Sequence, residues 1–319
     1  MTLTGERTGQ DSAASRHPNR RVRCGVRWPR ANTRWGWMLL SPALIVVLGL
    51  TLIPIARAIW TSFQQDSPLL PSKFVGWGNY SDVASSNGFV GAWLVTLTFA
   101  ACTVVLTTTM ALGAAALLNS SFPGISVVKP IVMLPWAVPG VIAGVMWRWV
   151  FSDSWGALNA ALSGAGVIDE YVKWLSTPNL AFMAVVIAQS WSLLPLATIF
   201  ILVGYQYIPF EQYEAARLDG ASFWQTYRFI TFPNIRTAVI IVVLYVALMG
   251  ITAYDIVYSM TSGGPGSATT LASYFTWSIS FRELNFGQAA ALAVMMAGVS
   301  LILVIGLLKA LPKDALTDE

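Results

Sequence analysis

The chain of 319 residues is 55% apolar and 11% charged, with a mean hydropathy of +0.62. A soluble globular chain carries roughly 25% charged residues, so a wholly water-exposed domain is excluded and much of the surface must face lipid. The formal charge of +4 is concentrated rather than spread over a binding face: Arg7, Arg16, Arg20, Arg21, Arg23, Arg27, Arg30 and Arg34 all precede the first apolar run. Basic residues there fix the cytoplasmic end of a first span. They also attract anionic headgroups at about 1 kcal/mol each. Only a single aromatic, Trp28, and no recognisable motif accompany them, which argues against nucleic-acid binding. Residues 1–34 are therefore expected to form a disordered, Arg-rich cytoplasmic tail in contact with membrane lipids. Cys24 lies in that tail and Cys102 in an apolar run, and the one histidine is His17, so neither a structural disulfide nor a metal site is expected.

Trp37 to Ile59 is long enough to cross a bilayer, which takes about 20 residues. Ala56-Arg57-Ala58 resembles a signal-peptide cleavage site, but the basic region is too long for that reading, and the run is taken as a retained span. Phe89 to Leu118, rich in Ala, Thr and Gly, is the second span and has the small residues of a packed interior helix. Val127 to Phe151 is the third, with Pro130, Pro135 and Pro139 predicting a kink or a break. Leu180 to Gly204 (with Pro195), Thr237 to Met260 and Gln288 to Leu308 complete six transmembrane helices in an all-α membrane protein. The intervening stretches 64–88, 152–179 and 261–287 read as polar and turn-rich. With both termini cytoplasmic, fourteen Lys and Arg fall inside and five outside, accounting for all 19 and satisfying the positive-inside bias. A permease domain is thus expected over 35–312, with a short cytoplasmic tail at 313–319.

The connection at 205–236 is charged and helix-prone. Glu211 to Asp219 has good helix propensity, Gly220 permits a sharp turn, and a second short helix from Ser222 to about Phe229 leads to Pro233, where the chain re-enters the membrane. Ala215 and Ala216, presented outward, would let another protein approach closely, and Glu214 and Asp219 would offer it charge. The string Glu214-Ala215-Ala216, Gly220 and Ile230-Thr231-Phe232-Pro233 resembles the EAA signature of ABC importer permeases, departing from it at Phe232, where the family usually has Leu.

Further strings are similar to the carbohydrate-type importers, and within them to the first of the two permeases, the maltose, lactose and glycerol-phosphate type. These are Leu112-Gly113 to Leu118-Asn119, Leu134-Pro135-Trp136 with Pro139, Trp147-Arg148-Trp149, Tyr254-Asp255-Ile-Val-Tyr258, Thr261-Ser-Gly-Gly-Pro-Gly, Thr269-Thr-Leu and Phe286-Gly-Gln-Ala-Ala-Ala291. The resemblance runs from about Trp35 to the C-terminus. It implies a multi-pass protein of a bacterial cytoplasmic (inner) membrane. Its partners would be a second homologous permease, two copies of an ABC ATPase and an extracytoplasmic solute-binding protein. It also implies that the loop of Glu214, Ala215, Ala216, Asp219, Gly220, Ile230 and Pro233 docks in a cleft of the ATPase. ATP and Mg would be bound by that partner, with no cofactor in this chain. Gly263, Gly264 and Pro265 would lie outside, where the binding protein docks, although the string also reads simply as a turn.

Polar and aromatic residues inside spans face other helices or a wet cavity. Trp136, Gln189, Ser190, Trp191, Tyr245, Tyr254, Asp255 and Tyr258 are therefore the candidates for a solute path. Aromatic faces stack on sugar rings, and Gln and Asp satisfy hydroxyls. The imported solute is expected to be a mono- or oligosaccharide. Glycerol-3-phosphate or a glycerophosphodiester is the alternative, disfavoured because no central span supplies a cation. An ion-coupled secondary transporter is a weaker rival, since Asp255 is almost the only charge within a span and no inverted repeat is evident. An enzyme is disfavoured as well: the chain has no phosphate-binding Gly-rich loop with Lys and no HExxH pair.

Overall fold

The computed structural model describes residues 33–310. The calls on the Arg-rich tail through residue 32, on Cys24 and His17, and on the tail at 313–319 lie outside the described residues. By internal contacts the chain divides into Met1–Ile53 and Pro54–Glu319. The first unit holds most of α1 (Thr33–Ser62), a continuous helix whose stretch Trp37–Ser62 is long and apolar enough to cross a membrane.

In the second unit, β1 (Gln64–Ser67) and β2 (Leu70–Phe74) form an antiparallel hairpin, followed by α2 (Gly78–Ser85). Then come α3 (Phe89–Asn119), α4 (Ile125–Met133), α5 (Gly140–Val150), α6 (Ala157–Gly164) and α7 (Pro178–Gln206). The second half holds α8 (Phe210–Leu218), α9 (Phe223–Thr226), α10 (Phe232–Ile251), α11 (Asp255–Met260), α12 (Ala272–Phe281) and α13 (Phe286–Ala310). Five helices among the described residues are long and apolar enough to cross a membrane, and the count is six if the bent pair Ile125–Ala137 and Gly140–Val150 is one span.

Within the second unit α3, α7 and α10 run in the directions that alternating spans require. Phe99 on α3 meets Phe182 on α7 near the start of each helix, with ring centroids 6.1 Å apart, while Ala111 and Ala115 share a core with Ile201 and Tyr205 near their ends, so the two run parallel. In contrast α10 runs against them, since its early Ala238 faces Gly204 at the end of α7. Lipid tails are as apolar as Leu, so helices in a membrane associate through close packing at small residues. A β-carbon on Gly204 would come within 2.9 Å of Ala238, and one on Gly250 within 2.9 Å of the Ala100 backbone. These glycines set the approach of α10 to α7 and α3.

The stretches read as turn-rich carry more structure than their composition suggested. Asn79, buried in α2, donates to the carbonyls of Ser62 and Gln64 at 2.9 and 2.7 Å, and Gly287 seats the start of α13 on the Gln64 carbonyl. Asn159 of α6 is fully buried and bonds Val172 and the Trp174 indole, while Asp153 accepts from Leu175 N and Ser176 Oγ. Single polar side chains thus tie these stretches down alongside the apolar contacts of Val83, Leu271 and Ile279.

Candidate functional site

A cleft opens where two spans break. Pro139 pushes Val138 into an extended conformation (φ −94°, ψ 118°), as a residue before proline prefers. The α4 segment therefore ends in a 3-10 turn, Leu134–Ala137, and α5 leaves at 108° to it. The kink expected from Pro135 and Pro139 is thus a full break.

The fifth span also differs from expectation: α10 stops at Ile251 rather than continuing to Met260, and α11 is a separate helix. Thr252 caps back onto the Leu248 carbonyl at 2.8 Å, and Tyr254 sits at φ −134°, ψ −51°, outside helical values. Asp255, expected near the end of a span, instead begins α11. Hydropathy runs on across Ala253 and Ile256 because both are buried in the α3–α7 core, which hides the break from composition.

The two broken ends are held together by glycines four apart. A β-carbon on Gly140 would lie 2.9 Å from Asp255 Oδ2, and one on Gly144 would overlap Ser259 Oγ. Against this pair lies the middle of α7. The enclosed space, about 270 Å³, is lined by Trp136, Gln189, Tyr254 and Asp255, and also by Ser192 and Thr252. Among the described residues, Asp255 is the one charged side chain in its wall. Four of the eight path candidates are thus brought together.

The other four lie elsewhere. Ser190 is fully buried with its hydroxyl unpartnered, and Trp191 meets Trp147 edge-on at 5.8 Å. Tyr245 packs on Phe200 at 6.2 Å, and Tyr258 stacks on Tyr254 at 5.3 Å, behind the cleft wall. Sequence reasoning missed Ser192 and Thr252. The signal for Ser192 was present, since it follows Gln189 by three and so shares its helix face. Thr252 carried none, because its place depends on the unforeseen end of α10.

At the opposite end of α7 the 205–236 connection folds as an elbow. Pro209 precedes the first turn of α8, Glu211 lies in that turn and Arg217 in the last, complementing the helix dipole. Gly220 closes it at φ +72°, with Ala221 N donating to the Ala216 carbonyl (2.9 Å) and Gly220 N to the Arg217 carbonyl (3.1 Å). Ser222 and Gln225 form a reciprocal capping box at the start of α9. Tyr213 and Thr231 hydroxyls, 3.2 Å apart, tie the two arms.

Two expectations need correcting here. Ala216 is buried in the elbow, 7% exposed, so only Ala215 faces outward. Adjacent residues sit about 100° apart on a helix, and the outward strip is Glu211, Glu214, Ala215 and Leu218. Pro233 does not mark a new segment either: Phe223–Ile251 is one continuous helix. A π turn at Tyr227–Thr231 lets Phe232 N bond Tyr227 O, five residues back, and this shift in register carries the helix past a residue with no N–H to donate. Of the remaining elbow candidates, Glu214, Asp219 and Pro233 are exposed and Ile230 is half-buried. Leu218, Phe223 and Trp224 add a strongly exposed apolar surface around them.

The Gly263-Gly264-Pro265 turn is an internal knot. Gly263 (φ +83°) is buried with room for no β-carbon beside Tyr274 (2.6 Å), and Thr269 and Thr270 hydroxyls donate to the Gly264 and Gly263 carbonyls. Gly263 itself thus offers no exposed surface. The exposed tip is Gly266 and Ser267, with Gly264 and Pro265 half-buried beside it.

A membrane domain with a mid-helix polar cleft and a capped elbow at one end is the architecture of a transport permease. Residues 107–313 match the family of binding-protein-dependent transport system inner membrane components, and the chain belongs to that family. It is 36% identical over 82% of its length to the trehalose/maltose transport system permease protein MalF of Thermococcus litoralis, covering 88% of that protein. It is 34% identical to the sulfoquinovosyl glycerol transport system permease protein SmoG of Agrobacterium fabrum, over 83% of this chain and 86% of the other. The diacetylchitobiose uptake system permease protein NgcF of Streptomyces coelicolor is 28% identical over 94% and 87%. Among solved structures, a chain of a bacterial ABC transporter involved in the import of the acidic polysaccharide alginate superposes with a TM-score of 0.75 at 21% identity, covering 87% of this chain and 96% of that one. The same fold recurs, at TM-score 0.71 and 20% identity, in the alginate transporter complexed with its alginate pentasaccharide-bound periplasmic protein, over 86% and 92% of the two chains. The protein is thus a multi-pass inner-membrane permease with the ABC importer fold.

Proposed function

We propose that this permease forms, with a second homologous permease, the path for a neutral mono- or oligosaccharide delivered by an extracytoplasmic binding protein. Two copies of an ABC ATPase, which bind the ATP and Mg, dock at the elbow. The carrying observation is the cleft beside the middle of α7, with its aromatic walls, amide and hydroxyl groups, and the lone charge of Asp255. Sugars offer an apolar ring face and several hydroxyls, and this lining answers both. A phosphate ester or glycerophosphodiester would meet a carboxylate and no cation there, so that alternative is disfavoured. The solutes named for relatives and structural neighbours support a saccharide: trehalose, maltose and diacetylchitobiose are neutral, whereas sulfoquinovosyl glycerol and alginate are acidic, so the choice of a neutral sugar rests on the cleft lining.

The elbow strip suits ATPase docking because Ala215 permits close approach while Glu214 and Asp219 present charge. Exposed aromatic and Leu side chains of this kind anchor protein interfaces. This reading places the elbow and both termini in the cytoplasm and the Gly266–Ser267 tip outside, where the binding protein arrives.

The test is ATP-driven uptake of trehalose, maltose and diacetylchitobiose into proteoliposomes holding the full complex. Gly220→Arg is expected to abolish uptake together with ATPase co-purification. Gln189→Ala is expected to lower uptake with the ATPase still bound. Uptake untouched by Gly220→Arg, or driven by an ion gradient without ATP, would overturn the assignment.

A further inference from the structure

A second cavity, about 740 Å³, lies between the elbow and the end of α3. It is distinct from the sugar cleft. Tyr205 in its wall follows Gln189 by sixteen residues, which puts it about 24 Å along α7 and about 160° around it. Its polar lining differs in kind as well. Among the described residues, Arg217 is the one charged residue in its lining, and no carboxylate lines it. Arg217, exposed on α8, shares this lining with Tyr205, Tyr213, Tyr227, Thr226 and Asn119 of α3, the Tyr213 hydroxyl lying 3.2 Å from that of Thr231. Tyr205 is 9% exposed, so its phenol is set in the wall rather than at the surface. The floor, Gly113 and Ala116, is small, and a β-carbon on Gly113 would meet nothing within 4 Å.

A planar guanidinium with a ring of hydroxyl and amide donors is the recognition chemistry of a phosphoryl group, whose oxygens accept from several donors at once. We propose that this pocket binds a phosphoryl group, carried by a phospholipid headgroup or by a soluble phosphate ester. The bound group bridges α8 (Arg217) to α3 (Asn119) and so restrains the elbow. This site would give the importer an input separate from its sugar, and binding there does not depend on which solute passes through the cleft.

The test uses the purified full-length chain. One arm measures phosphatidylglycerol retained by native mass spectrometry after extraction from vesicles of a phosphate-free galactolipid with or without phosphatidylglycerol. The other measures melting temperature against inorganic phosphate and glycerol-3-phosphate in maltoside detergent free of phospholipid. Arg217→Gln is expected to weaken binding about tenfold, the loss of a charge-assisted hydrogen bond. Ala116→Phe, which fills the floor and keeps the cation, is expected to do the same. Arg228→Gln, whose side chain lies over Phe229 and outside the pocket, is the control and should bind as wild type. Loss confined to the phosphatidylglycerol arm assigns a lipid headgroup, and loss confined to the phosphate arm a soluble ester. Equal binding by wild type and both pocket variants, no binding in either arm, or equal loss in the Arg228 control would overturn the proposal.

Discussion

A β-carbon added at Gly144 would overlap Ser259 Oγ and press on the Ile256 backbone at 3.1 Å, whereas one at Gly113 meets nothing within 4 Å. Both glycines sit inside helices, so propensity alone would favour Ala at each by about 1 kcal/mol. The surroundings reverse the sign at Gly144, where overpacking costs about 1–3 kcal/mol. Gly144→Ala is therefore expected to lower the melting temperature of the detergent-purified chain and to reduce uptake, because α11 carries Asp255 into the cleft. Gly113→Ala should hold or raise the melting temperature. At Gly220 the constraint is conformational instead. Its φ of +72° costs about 1–2 kcal/mol for any residue with a β-carbon, although the space around it is open. Gly220→Ala should speed amide exchange at the end of α8 while leaving the Gln189 region of α7 protected.

The elbow is built almost wholly from local signals, which is why it was legible. Propensity, a turn glycine and a Ser-to-Gln spacing of three specify α8, the Gly220 cap and the start of α9 without reference to the rest of the fold. Ser222 and Gln225 exchange hydrogen bonds at 3.3 and 2.7 Å, so Ser222→Ala should cost about 1 kcal/mol. Hydrogen exchange should report that loss as fraying confined to Phe223–Thr226. The continuity of the helix past Pro233 was not legible, because the π turn that permits it has no sequence mark. The long apolar runs were equally plain, and five of the six spans fall close to where hydropathy put them. What stayed hidden were breaks and caps that exist only through tertiary contact: the stop at Ile251, the helices α2, α6 and α12 among polar stretches, and Asn79 and Asn159, each buried to satisfy backbone groups from distant segments. Half of the path candidates lie away from the cleft for the same reason. A Trp or Tyr in a span is marked by composition, but the neighbour it turns towards is not.

Across the second unit, α7 touches both the cleft, through Gln189, and the pocket beside the elbow, through Tyr205. Pro195 lies between them, buried and inside the helix. Lacking an N–H, it leaves the Trp191 carbonyl without its partner four residues on, so the helix can bend there more cheaply than elsewhere. The bent pair of α4 and α5 offers a second flexing point at Val138 and Pro139, but it reaches only the cleft. If elbow movement is transmitted along α7 by bending, stiffening position 195 should separate stability from transport. Pro195→Ala restores the missing bond, and Ala is favoured over Pro in a helix interior by up to about 3 kcal/mol. The expected outcome is a higher melting temperature, unchanged ATPase co-purification and ATP-driven uptake reduced several-fold in proteoliposomes. A higher melting temperature with full uptake would mean that α7 moves as a rigid rod, and the hinge would then belong at Val138–Pro139.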